Sequence, residues 1–97
     1  MPKKKTSTRR PVMTLLEVLG RRWTLRILWE LRVGALSFRA LRAAADDVSP
    51  SVLNARLADL RALGVVESGD DGYMLTSSGK ELSATLLELN EWANRYA

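Results

Sequence analysis

The chain of 97 residues contains no cysteine and no histidine. Without cysteine there is neither a disulfide framework nor a thiol switch. Without either residue, zinc sites of the His/Cys type and histidine acid–base chemistry are excluded. No run of 18 apolar residues occurs, so no segment is expected to span a membrane. The basic opening leads, from Pro11, into an amphipathic pattern containing Glu17 rather than into the apolar core of a signal peptide, and a cytoplasmic protein is expected. The acid pairs Asp46–Asp47 and Asp70–Asp71 fall in turn-like stretches with no nucleophile–base pair beside them. No enzyme is indicated, and no cofactor or metal.

What is present is an ordinary apolar fraction of 46% in a chain short enough for one thin-cored domain. Such a domain gains stability from a second copy. Charge is unevenly placed. Residues 1–11 carry Lys3, Lys4, Lys5, Arg9 and Arg10 with no acid, so residues 12–97 sum to about −1 against a total of +4. Residues 1–10 are expected to be a disordered basic arm, suited to following phosphates or serving as a solubilising tail.

Residues 11–97 read as one domain. Val12, Leu15, Leu16 and Leu19 recur at helical spacing up to Gly20. The stretch 23–33, WTLRILWELRV, predicts a second helix with Ile27, Leu28 and Leu31 inward. A second stripe of Leu25, Trp29 and Val33 lies on its far side, and a helix apolar on two sides needs covering twice. A short extended piece then leads to Ser37, which caps FRALRAAA. Ser49 and Pro50 open a helix over 49–63 that Gly64 closes. Leu53, Leu57, Leu60 and Leu63 form its anchoring side. Its other side is stripped to Ser51, Ala55, Ala58 and Ala62, which lets the helix approach something closely.

VVES and YMLT, joined by GDDG, predict a β-hairpin. Thr76 or Ser77 caps a closing helix over about 77–96, whose Leu82, Leu86, Leu89, Ala93 and Tyr96 follow the 4-3-4-3 rhythm of a coiled-coil seam. That seam, with Leu15 of the first helix, is the candidate dimer interface; packing within the domain is the alternative.

The fold class is therefore mostly α with a short hairpin (α+β), in the order of a winged helix-turn-helix, with 49–63 as recognition helix. The sequence also resembles HxlR-type transcriptional regulators. The resemblance rests on Gly-x-x-Trp-Thr at 20–24, Phe-Arg-x-Leu at 38–41, Ser-Pro-x-x-Leu-x-x-Arg-Leu at 49–57 and YMLTSSGKEL followed by Trp92, and runs from Pro11 to Trp92. It implies a dimeric prokaryotic repressor or activator paired through its first and last helices. Two departures stand out. Where many members carry a cysteine before the first-helix proline, this chain has Arg10, so thiol sensing is not implied. Its wing is shorter than the family's and acidic at the tip, where two carboxylates repel a DNA backbone.

The expected partner is double-stranded DNA. Asn54 can bond adenine bidentately, and Ser49 and Ser51 can meet a base or phosphate at the helix start. Arg39 and Arg42 are expected to clamp phosphates from the preceding helix, and Arg61 to reach phosphate further along. For Arg56 the sequence leaves DNA contact and an internal salt bridge open. Trp23, Trp29 and Trp92 are candidates to line a pocket for a small aromatic effector between subunits, against the plainer reading of core or interface aromatics. The alternative function is a winged-helix protein-interaction module with weak DNA binding. DNA affinity that persists in salt separates the two.

Overall fold

The computed structural model describes residues 10–97; Lys3, Lys4, Lys5 and Arg9 lie outside the described residues. In order come α1 (Pro11–Leu19), α2 (Thr24–Glu30) continued by a 3-10 turn (Leu31–Val33), α3 (Phe38–Ala44), α4 (Pro50–Leu63), β1 (Val66–Gly69), β2 (Gly72–Leu75) and α5 (Ser77–Tyr96).

Local chemistry accounts for most of the boundaries. Pro11 and Pro50 stand in the first turns of α1 and α4, where a missing N–H removes no helical bond. Ser37 Oγ accepts from Ala40 N at 3.0 Å and starts α3, and Ser49 Oγ accepts from Val52 N at 3.2 Å and starts α4. Gly64, at φ +85°, ends α4 and lets Val65 N reach back to Leu60 O at 3.1 Å. The second helix departs from expectation at both ends. Trp23 stays outside it as a left-handed cap at φ 77°, and its last turn tightens to 3-10 geometry after Glu30.

The hairpin is antiparallel, running from Val66↔Leu75 to Gly69↔Gly72, with Asp70 and Asp71 alone at the turn. Its strands sit one residue from the expected ones, although Thr76 N still donates to Val65 O at 3.0 Å beyond the ladder. Leu36 adds a third short rung by exchanging two backbone hydrogen bonds with Tyr73. Gly72 makes that rung possible: a Cβ there would lie 2.4 Å from Leu36 O, and its φ is +109°.

One core joins these elements. Ile27, Leu28 and Leu31 of the second helix meet Leu41 and Ala45, then Leu53, Leu57 and Leu60 of α4, with Val65, Val66 and Leu75 closing the hairpin side. The inward stripes read from the sequence are these residues. Leu63, expected on the anchoring side, is half-buried at the core's margin.

α5 divides in two. Leu82 and Leu86 pack on the domain's own core, while Leu89 and Tyr96 remain 59% and 69% exposed. The regular seam is thus intramolecular at its start and uncovered at its end. Val12, Met13 and Leu16 of α1 are likewise about half exposed, and Leu15 leans on the core. The second stripe of α2 behaves as its pattern demands: Leu25 and Val33 are exposed and Trp29 is half-buried.

Candidate nucleic-acid interface

α4 presents its small-residue side to solvent. Ser51, Asn54, Ala55, Ala58, Arg61 and Ala62 are all exposed, while Leu53 and Leu60 are fully buried opposite them. The leucine side holds the helix to the body, leaving nothing bulkier than Asn54 on the first two turns of the outer side. Such a side can enter a groove without its own side chains holding it off. Ser49 is engaged as the helix cap and also lies 3.5 Å, Oγ to Oγ, from Ser51.

The cations around α4 fall into two groups. Arg39, near the start of α3, and Arg61, near the end of α4, are exposed and form no ion pair among the described residues. Arg42 and Arg56 are engaged internally. Arg42, expected to clamp phosphate beside Arg39, is half-buried and hydrogen-bonded within the chain. Its Nε donates to Val48 O at 2.7 Å and its Nη2 to Asp47 O at 3.4 Å, so the guanidinium spans the turn between α3 and α4. For Arg56 the structure favours the salt bridge: Nε lies 3.0 Å from Asp59 Oδ2, close enough for an ion pair but without hydrogen-bond alignment. Asp59 Oδ1 also takes Arg21 at 2.9 Å, tying the α1–α2 link to the recognition helix.

Arg26, which the sequence reading did not single out, reaches further than any of these. From α2 it bonds Glu30 at 2.8 Å, Asp46 Oδ2 at 3.0 Å and the carbonyl of Ala44 at 2.7 Å. Its pKa is raised above the ordinary arginine value, chiefly by the bond to Glu30 and then by that to Asp46. The i,i+4 spacing to Glu30 was visible in the sequence; the reach to the turn was not.

Within the single chain the three tryptophans stand at different places. Trp29 lines a cleft of about 310 Å³ between α2 and α5, with Leu25, Arg26, Leu86, Leu89 and Ala93. Trp23 lines a separate depression beside Arg21 and Arg22, and Trp92 packs against Tyr96 at 5.5 Å between ring centres. At the wing, Glu67, Asp70 and Asp71 are exposed, so the hairpin offers DNA carboxylates rather than cations.

A family model described as HxlR-like helix-turn-helix matches residues 18–97. The chain belongs to that family. Among its relatives is YvaP of Bacillus subtilis, an uncharacterized HTH-type transcriptional regulator. The two are 32% identical over 87 residues, covering 82% of this chain and 81% of the other. Quinone-bound YodB from B. subtilis superposes with a TM-score of 0.80 at 28% identity, over 88% of this chain and 97% of that one. A possible HxlR family transcriptional factor from Thermoplasma volcanium gives a TM-score of 0.75, also at 28% identity, over 89% and 84%. This HxlR-like protein is accordingly a DNA-binding transcriptional regulator of winged-helix fold and not an enzyme. Among the described residues no helix is long and apolar enough to cross a membrane.

Proposed function

We propose that the protein is a homodimeric, sequence-specific regulator that acts by occupying its operator. Two recognition helices enter major grooves about one helical turn apart, and polymerase is blocked or recruited by what is bound there. The observation that carries this reading is the outer side of α4, where Ser51 and Asn54 are exposed on a surface otherwise reduced to alanine. Asn54 is assigned to a base edge and Ser51 to a base or phosphate. Arg39 and Arg61, exposed and without an ion pair among the described residues, are assigned to phosphate. The arm with Lys3, Lys4, Lys5, Arg9 and Arg10 supplies the positive charge that the wing lacks.

For the dimer, the exposed apolar residues of α1 and of the far half of α5 supply the surface. Val12, Met13, Leu16, Leu89, Trp92 and Tyr96 are all at least half exposed, more apolar surface than a lone domain of this size carries comfortably. A small aromatic effector, if one acts, is assigned to the cleft beside Trp29. YodB, a solved neighbour, is known in a quinone-bound form, and a quinone is likewise a small planar ring.

A second reading, a winged-helix module for protein partners, is favoured by the acids on the wing. Fluorescence anisotropy across a salt series separates the two, using DNA from upstream of the protein's own gene and a pool of random duplexes against a scrambled control. Binding at least tenfold tighter than the scramble and surviving moderate salt supports the regulator. Equal, salt-erased binding to every duplex supports the protein-partner module.

A further inference from the structure

The turn between α3 and α4 is built in an unfavourable way. Asp46 and Asp47 both adopt the left-handed conformation, at φ 55° and 57°, with no glycine at either place. Aspartate tolerates that region better than most residues, but usually as a single residue. Two in succession, directly before the recognition helix, persist only where the surroundings hold them.

Two backbone hydrogen bonds close the turn, Asp47 N to Arg42 O at 2.8 Å and Val48 N to Ala45 O at 3.1 Å, and a pair of arginines, one on each flank, braces it. Arg26, fixed on α2 by Glu30, binds the Ala44 carbonyl at the end of α3 and the Asp46 carboxylate within the turn. Arg42 binds the carbonyls of Asp47 and Val48 on the side that leads into α4. Val48 is buried, and the next residue is the α4 cap Ser49, so the arginine that fixes Val48 O fixes the chain one residue before the recognition helix begins.

We infer that Arg26 and Arg42 are positioning residues: together they clasp the Asp46–Asp47 turn and set the angle at which α4 is presented to DNA. This rests on the regulator reading above. Neither residue contacts DNA in this role. Their loss therefore weakens base readout, which depends on helix orientation, and spares the phosphate contacts that dominate non-specific binding.

Lysine is the discriminating substitution. It keeps the positive charge that a phosphate contact needs but has no planar fork to span two carbonyls. The probe is the duplex that wild-type protein enriches from a random-sequence library, compared with its scramble. Arg42→Lys and Arg26→Lys are each expected to lose about tenfold or more on the enriched duplex, with unchanged affinity for the scramble and an unchanged salt slope. Adding Asp47→Gly to Arg42→Lys, which gives the left-handed position a residue suited to it, is expected to recover about fivefold. In parallel, amide exchange at Asp47 and Val48 is expected to quicken in both lysine variants while Leu57 and Leu60 keep their protection.

The inference is overturned if Arg42→Lys binds like wild type while Arg42→Ala weakens both duplexes alike and flattens the salt slope by about one contact, the signature of phosphate binding. It is overturned equally if the turn amides exchange in both lysine variants as they do in wild type. A wild-type protein that enriches no duplex overturns the regulator reading instead, and the exchange result alone then decides whether the clasp exists.

Discussion

Replacing Asp59 by Asn tests how the recognition helix is fastened to the body. Asp59 faces two arginines, Arg21 at 2.9 Å and Arg56 at 3.0 Å, and Asn keeps its shape while removing its charge. The Arg21 side chain is 48% exposed, so that ion pair contributes roughly 0.2–1 kcal/mol. Arg56 is more enclosed, at 22%, and loses its counter-charge without gaining full hydration. The penalty is well below the several kcal/mol of a fully buried broken pair, and the two contributions together come to about 1.5 kcal/mol. For a domain of this size that lowers the melting temperature by about 6–12 °C, read from the circular dichroism of the helices at neutral pH. A double-mutant cycle with Arg56→Gln should show coupling, because each change removes part of the same pair. Arg56 lies toward the anchoring side of α4, away from Asn54, so the salt slope of DNA binding should not move. A melt within about 2 °C of wild type would refute the energetic argument. A slope steeper by about one contact would show that freed Arg56 reaches phosphate, refuting the assignment of that side chain to the interior.

Three further outcomes are expected. Asn54→Ala should weaken binding to the enriched duplex by about 1–3 kcal/mol and relax preference at a single base position, seen by repeating the selection with the variant. Leu89→Glu should convert dimer to monomer on a sizing column with the helical signal intact, since Leu89 is 59% exposed in the single chain and lies outside its buried core. Deleting residues 1–10 should weaken every duplex alike and flatten the salt dependence, seen in anisotropy titrations. An unchanged slope would make that stretch a solubilising tail.

The parts of the fold that the sequence announces are those settled by neighbours a few residues away. Ser49, Pro50 and Gly64 mark both ends of α4 because capping is a local matter, and Leu53, Leu57 and Leu60 mark its buried side because helical spacing is too. The acidic turn flanked by Gly69 and Gly72 announces the hairpin for the same reason. Pairing across the domain is invisible at that level. Beyond its i,i+4 spacing to Glu30, nothing about Arg26 distinguishes it from Arg22 or Arg32 until α2 is laid beside the end of α3. The regular leucines of α5 show the opposite failing: an apolar rhythm records that a side is covered, not by what. Leu82 and Leu86 are covered by the domain itself, and the sequence treats them no differently from Leu89. The turn at Asp46–Asp47 is legible, but two left-handed residues in succession there and a left-handed Trp23 are not, because the residue expected at such positions is glycine.

At the other end of the recognition helix, Thr76 does two things at once. Its Oγ1 accepts from Gly79 N to start α5 and donates to Gly64 O, 2.7 Å away, where α4 stops; Ser78 Oγ donates to the same carbonyl at 2.9 Å. The long helix is thus knotted to the reading helix at its root. At 20 residues α5 is a rod about 30 Å long, so splaying it by about 5° about that knot moves its far end by about 2.6 Å. The same leverage runs backwards: in the proposed dimer, a shift of a few ångströms where two such rods meet would turn each reading head through only a few degrees. Such a pair would behave as callipers, coarse at the handles and fine at the jaws, so that loose packing at the far ends would be compatible with accurate spacing on the DNA.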